Sequence, residues 1–242
     1  MAYFSDRLAA GRALAGRLRG RSDLHDAIVL ALPRGGVPIG FEIASALLLP
    51  LDLFVVRKLG LPGEEELALG AVATGGFQVL NRPLIEHLRI PPAVLKEVEA
   101  REERVLADRE RLYRGDRAAP EVHGRVVVLV DDGLATGASM LVAIAAVRAQ
   151  KPEKIIVAVP VAAPGTGAEI RESVDDLICL RTPHPFGSVG MWYERFGQVS
   201  DDEVRNLLER ARSHLDCPAA TRESRPDLPL NMKKQGSPER FE

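Results

Sequence analysis

The sequence has few of the residues on which several common functions depend. Only two of its 242 residues are cysteines, Cys179 and Cys217, and neither has the CxxC or Cys/His spacing of a metal site. Distant, unpaired cysteines are typical of a reducing compartment, so we expect a cytoplasmic protein with free thiols. No apolar run approaches the roughly 20 residues that cross a bilayer, and the N-terminus lacks the apolar core of a secretory signal. We therefore expect no membrane partner.

An excess of charge of one sign is also missing. The formal net charge is −2 and the isoelectric point is near 6.3, which gives no general attraction to nucleic acid. We therefore expect no nucleic-acid partner. The five histidines show no metal-ligand spacing, so we predict no metal site built from protein side chains alone. The remaining composition, 46% apolar and 27% charged, is that of an ordinary globular domain.

Strand-like and helix-like segments alternate from residue 26 onward. This alternation predicts an α/β fold with a mostly parallel central sheet flanked by helices, which is a Rossmann-like arrangement. The predicted strands are 26–32, 51–57, 126–130, 154–161 and 177–181, and the predicted helices are 38–49, 91–114, 138 onward, 165–173 and 201–213. The Gly- and Pro-rich stretch 60–66 predicts an exposed mobile loop, and 70–74 with 77–81 predicts a β-hairpin.

The two ends of the chain differ from this central part. Residues 1–24 predict a covering helix, because apolar side chains recur at steps of three and four while Arg7 and other arginines lie mostly off that face. Residues 25–216 form the predicted main domain. Residues 217–242 are polar and without periodicity, so we predict a disordered tail there.

The most informative stretch is Arg125–Ser139, RVVVLVDDGLATGAS. A buried strand delivers two aspartates to a glycine-containing turn that precedes a helix. The turn glycines, the hydroxyls of Thr136 and Ser139 and the unpaired N–H groups of the helix start predict a cradle for a monophosphate. Asp131 and Asp132 are acceptors when ionised and suit the vicinal diol of a ribose. The combination points to ribose 5-phosphate.

A second turn of this kind follows the first predicted strand, in LPRGGVPIG. Gly35 and Gly36 can bring their N–H groups against an anion, and Arg34 can reach it with a planar guanidinium. A tight turn with an incidental surface arginine is the alternative. Arg57 and Lys58 close the second predicted strand, and strand carboxyl ends share one edge in a parallel sheet, so we expect both cations at the same crevice. A solvated strand end is the alternative for them.

VVVLVDDGLATGAS resembles the phosphoribosyl pyrophosphate (PRPP) signature of the type I phosphoribosyltransferases. The resemblance implies that the magnesium complex of PRPP reacts with a nitrogenous base and releases pyrophosphate, with Mg²⁺ held mainly by PRPP. It implies a small C-terminal hood, which we place at about 182–199, and a homodimer is an expectation because dimers are common in the family. The implied site residues are Asp131, Asp132, Arg57 and Lys58 for catalysis, Ala135, Thr136, Gly137, Ala138 and Ser139 for the 5-phosphate, and Arg34, Gly35 and Gly36 for pyrophosphate. Aromatic residues cluster in 182–199 although the chain is only 5% aromatic, so Trp192 and Phe186 are candidates to stack on the base. The alternative is that these rings anchor the segment onto the core.

The chain departs from some family patterns. Ala135 stands where some purine-salvage members carry an acid that assists proton transfer, and 60–76 contains no lysine or arginine, unlike the mobile loop of orotate-type members. Two other interpretations stay open. One is a catalytically silent sensor of PRPP or nucleotides with the same fold. The other is a methyltransferase whose acidic strand end holds a ribose, which leaves the two phosphate turns without a purpose.

Overall fold

The computed structural model describes residues 2–216 and contains a central five-stranded parallel sheet. Its strands are β1 Ile28–Ala31, β2 Leu51–Leu53, β6 Val126–Val130, β7 Lys154–Val161 and β8 Asp176–Arg181, and their order across the sheet is β2-β1-β6-β7-β8. The three central strands, β1, β6 and β7, are mostly apolar and buried on both faces, as expected where helices cover both sides of a parallel sheet. The predicted α/β fold with a mostly parallel sheet is confirmed.

The described part of the chain contains seven α-helices. They are α1 Arg7–Leu18, α2 Gly36–Leu47, α3 Arg82–His87, α4 Pro92–Arg114, α5 Ala138–Ala149, α6 Pro164–Ser173 and α7 Asp201–Asp216. Of these helices, α3 and α4 contact a second sheet. Alternate strand residues point to opposite faces and so build two cores. Val128 and Val130 of β6 face the core shared by α1, α2, α4 and α7, whereas Val127 and Leu129 face the core shared by α5 and α6.

A second, antiparallel sheet of three strands stands beside the first. It consists of β3 Val56–Leu61, β4 Glu64–Ala73 and β5 Phe77–Leu80. The single strand predicted over 51–57 is therefore wrong, because the chain changes sheets after β2. Phe54 still donates to Ala31 O in the parallel sheet (2.9 Å), but the Val55 N–H donates to the buried Thr74 hydroxyl beside β4 (2.9 Å).

The loop predicted over 60–66 is also wrong, although residues 62–65 are exposed as expected. These residues form the β3–β4 hairpin, in which Gly63 takes a positive φ of 87° in the tight turn. Gly60 packs so closely on the Glu65 backbone that an added Cβ would lie 2.6 Å from its carbonyl oxygen. The glycines thus serve strand pairing and a turn. The hairpin predicted from 70–74 and 77–81 is confirmed as β4–β5.

The predicted N-terminal helix is α1, which packs on α2. Gly11 permits this approach, because an added Cβ there would lie 3.0 Å from the Ile39 backbone. The tail predicted over 217–242 lies outside the described residues. Within residues 2–216, no helix is both long enough and apolar enough to cross a membrane.

Candidate functional site

The site forms where β1 and β6 end side by side. The two strands pair in parallel up to Ala31 and Val130, and the Leu32 N–H donates to Val130 O (2.9 Å). The turn after β1 and the turn after β6 therefore leave the same sheet edge as neighbours, as expected for the carboxyl ends of parallel strands.

Gly35 and Gly36 press the first turn against the second. A Cβ added at Gly36 would lie 2.5 Å from Val130 O and 3.0 Å from Asp131 Cα, both of them backbone atoms. A Cβ added at Gly35 would overlap the Asp132 carboxylate. The close approach of the two turns therefore excludes any side chain at either glycine.

This contact gives a test of the loop architecture. Gly36→Ala is expected to lower the free energy of unfolding by about 2 kcal/mol, because the backbone it meets cannot move aside as a flexible side chain could. Urea unfolding followed by circular dichroism measures this loss. The control is Gly16→Ala in α1, where an added Cβ meets nothing within 4 Å and a gain of about 0.5 to 1 kcal/mol is expected. A Gly36→Ala protein as stable as the wild type would contradict the described contact.

Asp131 faces the site from the end of β6. Its Oδ1 accepts a hydrogen bond from the Asp132 N–H (2.8 Å), which fixes the carboxylate in the turn. Burial, together with the neighbouring charge of Asp132, raises the pKa of the Asp131 carboxyl well above its usual range. A ligand that donates hydrogen bonds to this carboxylate would favour its ionised form.

The side chain of Asp132 makes different contacts. Its Oδ2 accepts from Nε and Nη2 of Arg7, both at 2.8 Å, and the two side chains are only 16% and 12% exposed. The Arg7 guanidinium also donates to Gly197 O (2.7 Å) and stacks 3.8 Å from the Phe196 ring centre. Tyr193 donates its hydroxyl to Asp132 O (2.6 Å). Asp132 thereby joins the signature turn to α1 and to the segment 182–199.

The helical periodicity of residues 1–24 predicts that Arg7 lies mostly off the apolar face, and it does not reveal the ion pair with Asp132. The guanidinium instead lies buried against a residue 125 positions away. No local pattern in the sequence identifies that partner, so the signal for Arg7 comes only from the folded chain.

The predicted 5-phosphate residues form the turn into α5. Gly137 adopts a positive φ of 70° just before the helix begins at Ala138, while Ala135, Thr136 and Ser139 line the turn around it, all three of them exposed. A Cβ at Gly137 would meet Thr166 Cγ2 at 2.6 Å, and the Thr166 hydroxyl donates to Ala135 O (2.6 Å). The turn is thus supported from behind by α6. The first N–H groups of α5 have no partner within the helix and suit an anion.

A cavity of about 280 Å³ lies in front of these turns. Its floor comes from the ends of β1 and β6, and its walls come from the β2–β3 connection and from α4. The polar residues that line it are Arg34, Arg57, Arg109, Tyr113, Asp131 and Ser139. A neighbouring cavity of about 340 Å³ shares Arg57 and Ser139 with it and adds Lys58 and Arg101. Five cationic side chains line the two cavities against three carboxylates, Asp131, Glu65 and Glu102, and this excess of positive charge suits a phosphorylated ligand.

Arg57 and Lys58 reach this region by a different route from the predicted one. They lie within β3 of the antiparallel sheet, not at the end of a strand of the parallel sheet. Arg57 is paired with the buried Glu102 (2.8 Å), and Arg101 contacts the other oxygen of the same carboxylate (3.1 Å). Lys58 is exposed and lines only the second of the two cavities.

The two predicted base-binding residues, Trp192 and Phe186, belong to an aromatic cluster that packs against Tyr3 near the N-terminus. Trp192 stacks on Tyr3 with ring centres 5.0 Å apart, and its Nε1 donates to Phe186 O (3.0 Å). Neither Trp192 nor Phe186 lines the two cavities described above. Their role toward a base stays a prediction.

Two residues that line the first cavity were not predicted from the sequence. Arg109 and Tyr113 lie one turn apart on α4 and line the first cavity, although no motif marks them in this largely charged helix. A tyrosine near the end of an otherwise charged helix is the one signal that could have pointed to a buried patch, and Tyr113 is indeed buried.

Comparison with known proteins agrees with this geometry. The family model described as "Phosphoribosyl transferase domain" matches residues 5–195. Two curated proteins of Mycobacterium tuberculosis, from strains CDC 1551 and H37Rv, each carry the name "Putative phosphoribosyl transferase". Both are 42% identical to this chain over 211 residues, which is 87% of this chain and 47% of the relative. The chain therefore spans about half the length of the curated relatives it matches.

One solved structure is also similar. The crystal structure of TT1426 from Thermus thermophilus is 40% identical in sequence and superposes with a TM-score of 0.77. The match covers 87% of this chain and 99% of that chain.

Proposed function

This chain belongs to the phosphoribosyl transferase domain family, and on that premise we propose that it binds the magnesium complex of PRPP and transfers the phosphoribosyl group to a nitrogenous base. The single observation that carries the proposal is the pair of glycine turns at one sheet edge. They leave neighbouring strand ends, and residues next to both turns, Arg34 from the first and Asp131 with Ser139 from the second, line one cavity.

Each part of the ligand has candidate partners. Ala135 to Ser139 and the start of α5 suit the 5-phosphate, because hydroxyls and helix N–H groups converge there. Asp131 is the carboxylate that lines the cavity and suits the ribose hydroxyls. Arg34 to Gly36 and Arg57 suit the pyrophosphate. Lys58 of the adjoining cavity adds a nearby positive charge.

The proposed reaction exchanges one bond at C1 of the ribose. The bond from C1 to the pyrophosphate oxygen breaks, and its electron pair leaves with pyrophosphate. A nitrogen of the acceptor base forms the new bond to C1 and releases its proton to solvent. Catalysis then depends on positioning and on charge stabilisation, since positive charge develops on the sugar while negative charge develops on the leaving group.

Magnesium fits this site only as a partner of the substrate. Within residues 2–216, no group of three or more His, Cys, Asp or Glu side chains is placed to hold a metal ion. The cavity offers one carboxylate, Asp131, so the oxygens of PRPP and water would supply the other ligands, in keeping with the reluctance of Mg²⁺ to dehydrate. When bound, the ion would neutralise charge on the departing pyrophosphate.

Isothermal titration with PRPP in magnesium buffer tests the proposal. A separate titration with S-adenosylmethionine tests the methyltransferase alternative. We expect saturable binding of PRPP and none of the methyl donor. Binding of the methyl donor without PRPP would contradict the proposal. A panel of adenine, hypoxanthine, xanthine, orotate and uracil, assayed for PRPP-dependent release of pyrophosphate, then identifies the acceptor. Binding of PRPP without release of pyrophosphate in the presence of any of these bases would favour the sensor alternative.

A further inference from the structure

Three arginines from three separate elements line the first cavity, and their ionic partners differ. Arg34 lies 3.6 Å from an Asp201 carboxylate oxygen, and Arg57 lies 2.8 Å from Glu102. Across residues 2–216, no carboxylate lies within 4.0 Å of the Arg109 guanidinium nitrogens. Unlike the other two arginines, Arg109 therefore has no carboxylate of the described chain in direct contact, and its guanidinium is open to an anionic ligand.

The Arg109 side chain is nevertheless held in place. Its Nη1 donates to the Tyr113 hydroxyl (3.3 Å), and that hydroxyl donates to Asp201 Oδ1 (2.5 Å). The same Asp201 oxygen is the partner of Arg34. A short network thus connects Arg109 on α4 with the arginine of the first glycine turn, and the buried Tyr113 ring anchors it.

The charges around the cavity indicate which ligand group Arg109 would bind. A pyrophosphate group carries several negative charges and is bound best by arginine guanidinium groups and other cations. The hairpin region 60–76 contains no lysine or arginine that could close over such a group. Helix α4, which packs on β3 and β4, brings Arg109 to the opposite wall of the same cavity.

We propose that Arg109 is a further substrate-binding residue, which contacts the pyrophosphate group of PRPP and supplies from α4 the cation that the 60–76 hairpin lacks. This inference rests on the proposed function. It makes the pyrophosphate end of the site a three-arginine pocket assembled from the turn after β1, from β3 and from α4.

Isothermal titration of the full chain with three probes separates this role from a general effect. The probes are PRPP, inorganic pyrophosphate and ribose 5-phosphate, each in magnesium buffer. Arg109→Gln is expected to weaken binding of PRPP and of pyrophosphate about tenfold, as the loss of one charge-assisted contact predicts, and to leave ribose 5-phosphate within about twofold of the wild type. Arg104→Gln is the matched control, because Arg104 is exposed on the same helix and, within the described chain, donates only to the backbone carbonyl of Ala100, one turn earlier.

Two results would overturn the inference. One is an Arg109→Gln protein that binds pyrophosphate as tightly as the wild type. The other is an equal loss for all three probes, which would indicate a general disturbance of the site. Should Arg109→Gln fail to fold by circular dichroism, Arg109→Lys keeps the charge without the planar guanidinium and is expected to weaken pyrophosphate binding selectively, though less. A wild-type chain that binds pyrophosphate but not PRPP would contradict the proposed function, while the Arg109 variants would still decide the role of Arg109.

Discussion

Asp131→Asn is expected to weaken PRPP binding about 100-fold. Two charge-assisted hydrogen bonds from the ribose hydroxyls would be weakened together, and each is worth about 1.5 to 3 kcal/mol. The fold should not suffer. Burial raises the pKa of the Asp131 carboxyl, so the folded state disfavours its charged form, and the neutral amide removes that penalty. Titration with PRPP and thermal unfolding at neutral pH measure the two effects.

The pH dependence of stability has a definite sign for this group. Because the folded pKa lies above the unfolded value of about 3.9, the folded state binds more protons between those two values. Wild-type stability should therefore fall as the pH rises through that window. Asp131→Asn should remove the contribution of this carboxyl to the pH dependence of stability. A variant whose stability depends on pH as the wild type's does would contradict the raised pKa of Asp131.

Asp132→Asn is the matched comparison on the adjacent residue. Burial raises the pKa of the Asp132 carboxyl as well, but here the substitution also leaves the buried Arg7 guanidinium without its anion. It is therefore expected to lower the free energy of unfolding by about 1 to 3 kcal/mol and to weaken PRPP binding less than Asp131→Asn does. A folded Asp132→Asn protein that lost PRPP binding as strongly as Asp131→Asn, with unchanged stability, would show that both acids contact the ligand.

Arg114→Met is expected to have the largest effect on stability. The guanidinium is only 3% exposed and joins three partners near the end of α4: Asp52 at 3.1 Å, Glu110 at 3.0 Å and the Leu53 carbonyl at 3.1 Å. Removal leaves two partly buried carboxylates without their cation, which predicts a loss of about 3 kcal/mol. For a chain of this size the melting temperature should fall by roughly 6 to 12 °C.

Arg111→Met on the same helix is the control for that loss. Arg111 is exposed, so its replacement should change stability by no more than about 0.5 kcal/mol. Equal melting temperatures for the two variants would contradict the described network. The network also bears on the site, since α4 carries Arg109 and Tyr113 to the cavity wall.

The central sheet could be predicted because its strands are continuous apolar runs separated by glycine turns, which are local signals. The same locality made Gly35, Gly36 and Asp131 identifiable as site candidates. The second sheet was predicted only in part. In its first hairpin, the glycines that favour a loop serve a tight turn at Gly63 and a close backbone approach at Gly60.

The residues that sequence reasoning missed share a physical cause. Arg7 and Arg109 lie on charged helical surfaces, where an arginine ordinarily faces water. Their roles arise because α1 and α4 pack so that these side chains meet the signature turn and the cavity. The partners are distant in sequence and form no short motif, so only the tertiary arrangement reveals them.

A crystal structure of the chain with PRPP and magnesium would show directly whether the two glycine turns hold one ligand. We expect the pyrophosphate against Arg34 to Gly36 and the 5-phosphate against Ala135 to Ser139, with the ribose between them at Asp131. A ligand bound elsewhere, with neither turn in contact with a phosphate, would contradict this assignment.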